Sequence, residues 1–373
     1  MSSSANDLTE KPGFNPFIDA TGENHVAPDL WEPYLIRKEQ IDDEIERLVN
    51  SPKPENGRRR SYFVHPLSQS PGRGLAAGIT VSLDVLLPGE STSPIRHNST
   101  QVNFCIQGSG HTFVNGQRFD FKQYDVWNHI SFATYTHHND TDDIQVRLTY
   151  SNAALLEKMH VHIVEEDPQH ADIKVVTDVE DEDPRKQSPY GSFQLTKEGA
   201  WLMPYETLIN PPSVESKNLH WPWEMVKENL DKLAALGKDY IGRRLYLLYN
   251  PMTGRTNGIT PNFFATMTIR PPGIIDRPHR HVSAAINYYF KGSGYSIVEK
   301  KRYDWKAGDL MLSAPGWAIH NHASDEESVY ELTVQDQPLN IIMESLLWQE
   351  ALNKPAIILG QHSGFQTNRD NKV

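Results

Sequence analysis

The chain repeats itself. Residue n set against residue n + 184 aligns without gaps from about Arg59 to Asp140, and over 89–140 against 273–324 the same residue stands at 15 of 52 positions. Shared positions include Gly89/Gly273, Pro94/Pro278, Gly108/Gly292, Gly110/Gly294 and Asp125/Asp309. Glycines recur where a turn needs positive φ. This is a duplicated domain, and 373 residues leave room for two cores of ordinary size.

Each copy reads as β. In the first, 80–87, 101–106 and 111–114 are short, rich in β-branched or aromatic residues and separated by Pro, Gly or Asn; in the second, 263–269, 285–290, 295–298, 309–313 and 328–334 repeat the pattern. Short strands at such spacing predict a sandwich or small barrel. Two helices interrupt it. One covers about 38–50, with Ile41, Ile45, Leu48 and Val49 on one face; the other covers 222–236, with Pro222 in its first turn, Val226, Leu230 and Leu233 inward, and Gly237 at its end. The acidic, proline-punctuated stretch 165–188 reads as an exposed linker. The expected layout is an N-terminal arm and helix (1–50), a first β domain (51–165), a linker and helix (166–236), a second β domain (237–350) and a tail (351–373).

Composition narrows the function. The charge balance is 36 − 48 = −12, without a long basic run, which disfavours nucleic acid and anionic membranes as partners. No apolar stretch is long enough to span a bilayer, and MSSSANDLTEKPG lacks the features of a secretory signal. Cys105 is the only cysteine, so neither an intramolecular disulfide nor a thiolate cluster is available. A soluble, cytoplasmic protein is expected. The 16 histidines are the unusual feature, because imidazole is the commonest ligand of transition metals.

The second copy carries Pro278-His279-Arg280-His281 and, further on, His320-Asn321-His322. His-x-His on a strand puts both imidazoles on one face. A third from an adjacent strand makes a three-histidine metal site. Neutral imidazoles leave the 2+ charge of a metal uncompensated, which favours a dianionic chelating substrate and leaves a position for dioxygen. In the first copy Ile95 stands opposite His279, His97 opposite His281, and Thr136 opposite His320. One ligand of three survives there, and a slip that recruits His137 would add only a second. That copy is expected to serve packing and assembly. His160 and His162 have no third partner and read as an ordinary half-buried strand.

These residues resemble the cupin superfamily. A glutamate that many cupins place shortly after His-x-His is missing, since Ala285 and Ile286 stand there, which argues against oxalate-processing cupins. The runs GRRLYLLYNP (242–251), TMTIRPPG (266–273) and HRHVSAA (279–285), Gly308-Asp309 and His320-Asn321-His322, preceded by LMP (202–204) and HWPWEM (220–225), resemble the gentisate 1,2-dioxygenase family, with its salicylate and 1-hydroxy-2-naphthoate members. The resemblance implies a mainly β bicupin of two tandem jelly-roll barrels, a homo-oligomer with a tetramer favoured, and Fe(II)-dependent cleavage of an aromatic ortho-hydroxycarboxylate between its carboxyl- and hydroxyl-bearing carbons. Carried over, His279, His281 and His320 are the iron ligands. His322, titrating near neutrality, acts as acid or base on the substrate or dioxygen. Arg243 or its neighbour Arg244 binds the carboxylate, and Phe264 lies against the ring. Tyr288 and Phe290 either line the pocket with Phe264 or belong to the core.

Two departures from the family pattern stand out. The complete triad lies in the second copy, whereas the familiar enzymes carry it in the first. Asn287 occupies a position that holds an arginine in the family, which favours a 5-substituted salicylate (nitro, amino or halo) over gentisate, with Asn287 a selectivity residue. Because Asn103 occupies the same place in the first copy, a structural role is equally open. Two other readings share the triad or the fold. One is a different metal cupin, such as a flavonol or diketone dioxygenase or a sugar isomerase; the other is a non-enzymatic ligand-binding bicupin.

Overall fold

The computed structural model describes residues 15–168, 193–194, 197, 199–203, 217–236 and 243–361. It separates into a short unit, Met1–Leu30, and a large one, Trp31–Val373. The described part of the short unit has no regular strand or helix, and Phe17 and Ile18 are exposed. Pro12, Phe14 and Gly237 lie outside the described residues.

The large unit is a bicupin. One six-stranded antiparallel sheet runs His220–Trp221, Val126–His129, Gln101–Gln107, Gln145–Ser151, Thr80–Leu86 and Arg59–Phe63. The other runs Tyr34–Ile36, Leu310–Pro315, Ala284–Lys291, Val329–Gln335, Phe264–Arg270 and Leu245–Leu247. The 184-residue offset holds strand for strand: Thr80–Leu86 becomes Phe264–Arg270, Ser109–Val114 becomes Ser293–Val298, and helix Ala153–Lys158 becomes Gln337–Ile342. Smaller sheets close each barrel. In the first copy that sheet contains Ile95–His97 and Tyr135–His138; in the second the barrel is closed by Arg280–His281 with Leu347–Gln349, and by His320–Ser324 with Ser293–Val298.

Alternation along the strands decides what each barrel contains. Val81, Leu83 and Val85, with Val146, Leu148 and Tyr150, join Ala265, Met267, Ile269, Ile286, Leu332 and Val334 in one apolar cluster between the large sheets. The intervening residues therefore point into the barrels, and they are mostly polar. Tyr288 and Phe290 lie on the side that faces the other copy, where both rings approach Phe104 at 5.9 and 5.6 Å. They are core residues, which decides between the two roles left open for them.

Each copy lends its lead-in to the other. Tyr34–Ile36 precedes the first copy yet pairs with Leu310–Leu312 of the second, and His220–Trp221 precedes the second yet pairs with Val126–Trp127 of the first. The recurring aspartate fastens each exchange. Asp309 Oδ1 accepts from the Lys38 backbone N–H at 2.7 Å, and Asp125 Oδ1 accepts from that of Trp223 at 2.7 Å. Lys38 and Trp223 begin the helices Lys38–Val49 and Trp223–Ala234, so each buried carboxylate satisfies an N-terminal donor of the opposite copy's helix. Pro222 sits just before that helix rather than inside it. Ile41, Leu48 and Leu230 turn inward as their spacing predicts.

Three local expectations change. Val164–Glu166, the start of the expected linker, is a strand paired with Ile95–His97, while 169–188 lies outside the described residues. Ile357–Ile358, in the expected tail, pairs with Leu347–Trp348. His160 and His162 are not on a strand: His160 is exposed in a turn with φ of 57°, and His162 follows it in irregular chain. Gly108 and Gly292, each at φ of 77°, sit where a Cβ would meet Ile144 O at 2.3 Å or Ser328 O at 2.7 Å, which accounts for that shared pair.

Candidate metal centre

Three short segments assemble the histidines. His279 and His320 exchange both backbone hydrogen bonds, His279 N–H to His320 O at 3.1 Å and the reverse at 2.9 Å. His281 lies opposite Trp348 on the neighbouring strand. One ring nitrogen from each of His279, His281 and His320 falls within 4.8 Å of the others, and all three residues are buried. Among the described residues this is the one cluster of three metal-ligating side chains.

The backbone sets their tautomers. Nδ1 of His279 faces Arg277 O at 3.1 Å, that of His281 faces Ser283 O at 2.9 Å, and that of His320 faces Ala318 O at 2.9 Å. A carbonyl accepts, so each Nδ1 carries the proton and each Nε2 keeps its lone pair for a metal. Burial is the main reason all three resist protonation; His320 is lowered to about 4, and the Arg243 guanidinium adds to the effect on each. Neutral imidazole is the form that binds a metal.

Two neighbours escaped the sequence reading. Trp348 stacks on His281 at 4.8 Å and on His279 at 5.7 Å between centroids. Glu350 pairs with Arg243 Nη2 at 3.1 Å and accepts from Trp348 Nε1 at 3.0 Å. The Arg243 guanidinium also lies over the Trp348 ring, 5.8 Å from its centroid. Extending the 184-residue offset past Asp140 would have set Trp348 against Val164 and Glu350 against Glu166. Arg243 stands opposite Arg59, which pairs with Glu90 rather than Glu166, so both the Arg243–Glu350 pair and Trp348 are peculiar to the histidine-rich copy.

His322 shares a strand face with His320, at 5.8 Å between centroids. Its Nδ1 lies 2.8 Å from Ser296 Oγ, which also receives the Trp305 indole N–H at 2.9 Å. Indole only donates, so Ser296 Oγ accepts from Trp305, and the Tyr289 hydroxyl at 3.4 Å is a further partner of the same oxygen. Burial, with Arg270 second, lowers the His322 pKa well below its ordinary value. It does not titrate near neutrality, which corrects that expectation.

Phe264 and Asn287 both turn to the barrel side. Asn287 Nδ2 donates to Thr333 Oγ1 at 2.8 Å, and its Oδ1 accepts from Ser313 Oγ at 2.5 Å. In the first copy Asn103 Oδ1 accepts from Thr149, the counterpart of Thr333, at 2.9 Å. The shared asparagine thus meets the same threonine in both copies, as donor in the second and as acceptor in the first. Arg244 is buried beside Arg243.

No protein-family model matches this chain. It is 26% identical over 277 residues to a 1-hydroxy-2-naphthoate 1,2-dioxygenase of Nocardioides sp. (strain KP7), an alignment that covers 73% of this chain and 66% of that protein. It is 23% identical to gentisate 1,2-dioxygenase 1 of Aquipseudomonas alcaligenes, over 89% of this chain and 90% of the other. A salicylate 1,2-dioxygenase structure from Pseudaminobacter salicylatoxidans superposes with a TM-score of 0.70 at 16% identity, over 89% of this chain and 92% of that one. The chain is thus similar over most of its length to gentisate, salicylate and 1-hydroxy-2-naphthoate 1,2-dioxygenases. The family fold, a bicupin, is the one described above.

Within this bicupin the first barrel is filled differently. His97 Nδ1 meets Ser99 O at 3.0 Å, as His281 meets Ser283, but His97 Nε2 is occupied by Tyr135 OH at 2.9 Å and the Gln101 amide at 3.1 Å. Burial lowers His97 to about 4 and pushes His129 and His137 well below their ordinary value of 6.5. Between those values the unfolded chain binds more protons than the folded one. Stability therefore falls as pH drops from 6.5 towards 4, by up to ~1.4 kcal/mol per pH unit for each histidine. Urea midpoints at pH 7 and pH 5 test this: His97→Gln should flatten the dependence, and an unchanged slope would contradict it.

Proposed function

We propose that the chain is an Fe(II)-dependent dioxygenase that opens the ring of a salicylate-type ortho-hydroxycarboxylate, gentisate or a 5-substituted salicylate, between its carboxyl- and hydroxyl-bearing carbons. The observation that carries this is the donor set: three buried neutral imidazoles, each with Nε2 bare, and no carboxylate among them. The site suits a divalent ion whose charge is offset by a phenolate and a carboxylate of the substrate. When bound there, iron supplies open coordination positions at which the substrate and dioxygen meet.

The protein's own residues do the rest. Arg243, oriented by Glu350, anchors the substrate carboxylate with charge-assisted hydrogen bonds. His322, neutral at neutral pH, hydrogen-bonds an oxygen of substrate or product rather than protonating it as a general acid. Trp348 and Phe264 keep water from the pocket. The second copy, 237–350, thus carries the chemistry, and the first, 51–165, packing and assembly. No described helix is long and apolar enough to cross a membrane, and the proposed location is the cytoplasm. Anaerobic loading with Fe(II), then oxygen uptake with gentisate, salicylate and 5-amino-, 5-nitro- and 5-chlorosalicylate, tests the reading. Uptake with at least one supports it; uptake only with a flavonol or a diketone would replace it.

We also propose a homotetramer. The edge strand Leu245–Leu247 leaves Tyr246 and Leu247 exposed, with Tyr249 exposed just beyond, and an unpaired apolar edge needs a cover. Light scattering should give 4 × 42.5 = 170 kDa. A monomer mass at micromolar concentration would contradict it.

A further inference from the structure

The first barrel has lost its metal ligands, yet its interior is not neutral. Arg60, Asp84, Arg147 and Cys105 lie side by side on four adjacent strands, in register. Their neighbours Leu83, Val85, Val146, Leu148, Phe104 and Ile106 face the other copy, so this row points into the barrel. Arg60 Nε donates to Asp84 Oδ1 at 2.5 Å, while Arg147 comes only within 3.8 Å of the same oxygen. Two guanidinium groups thus share one carboxylate, and among the described residues no second acid joins them. Burial pushes the Cys105 thiol up to about 12 and raises Tyr135, so neither supplies the missing charge.

Arginine stays protonated in proteins, and a buried charge without a counter-charge is costly. Arg147 is 1% exposed. Its Nε, the Asn103 Nδ2 one strand away and the His137 Nδ1 are buried without a hydrogen-bond partner. The second barrel lacks this imbalance. There Glu331 takes the place of Arg147, and Arg270 pairs with both Glu331 and Asp276.

We propose that the first barrel is a second ligand site, which takes one small carboxylate between Arg60 and Arg147. The planar fork of a guanidinium matches a carboxylate's two oxygens, one negative charge balances the row, and the Asn103 amide supplies a further donor. The ligand is either a small solvent acid or an aromatic acid of the kind the second barrel would process.

Calorimetric titration with formate and with 4-fluorobenzoate separates these sources. It is run on wild type and on His281→Ala, in which the metal barrel no longer competes. We expect saturable binding of formate to His281→Ala, weakened roughly tenfold or more when Arg147→Met or Arg60→Gln is added. Binding of 4-fluorobenzoate at the same site would assign an aromatic acid; formate alone would assign a small solvent acid. Circular dichroism verifies folding, and if Arg147→Met does not fold, Arg60→Gln decides. No binding to His281→Ala, or binding unchanged in the folded arginine variants, would overturn the proposal.

Discussion

His281→Ala should lose metal and ring cleavage together, whereas His97→Ala should keep both. The two histidines occupy equivalent positions of the repeat and share the same Nδ1 bond, to Ser283 O and Ser99 O. They differ at Nε2. In His281 it joins His279 and His320, while in His97 it is closed off by Tyr135 and Gln101. Loss of one of three ligands should weaken metal affinity by at least about a hundredfold, the upper range seen even for outer hydrogen-bond partners. His97→Ala should instead cost stability, about 1–3 kcal/mol, by stranding buried polar groups. Metal analysis of both variants decides. A second metal per chain in the wild type, or metal lost from His97→Ala, would contradict the assignment.

Arg243→Ala should raise KM for a salicylate roughly ten- to a hundredfold, the equivalent of about 1.5–3 kcal/mol for one charged hydrogen bond. Glu350→Gln should give a smaller change in the same direction, because the carboxylate only orients the guanidinium. Arg59, which stands opposite Arg243 in the first copy, is tied to buried Glu90 as scaffolding, and that defines the competing outcome. If the pair is scaffolding alone, Arg243→Ala will lower the melting temperature and leave KM untouched. Steady-state kinetics beside a thermal melt separate the two.

The repeat made the fold legible. Because the offset of 184 holds from strand Arg59–Phe63 through helix Gln337–Ile342, one copy's pattern predicts the other's, and the three ligands were readable as His-x-His plus a distant histidine. What stayed hidden was set by long-range packing. The sequence gives no local sign that Tyr34–Ile36 pairs with the second copy, since edge pairing depends on how the sheets meet. Tyr288 and Phe290 could be either pocket or core residues from the sequence, because alternation reveals two faces but not which one is the barrel. The pKa of His322 depends on burial and on Arg270, far away in sequence, and its Nδ1 partner, Ser296, comes from a neighbouring strand. Asn287 could be weighed only once Thr333 and its counterpart Thr149 were seen to hydrogen-bond the asparagine of each copy.

The central claim is that the second barrel performs metal-dependent insertion of dioxygen into an ortho-hydroxycarboxylate ring. Incubation of the Fe(II)-loaded protein with ¹⁸O₂ and the salicylate or gentisate that it consumes, followed by mass spectrometry, tests this directly. The account predicts a ring-opened acid that carries both labelled oxygen atoms, and none from the metal-free protein. An iron-loaded protein that leaves every member of the panel intact, or a product labelled only from water, would contradict it.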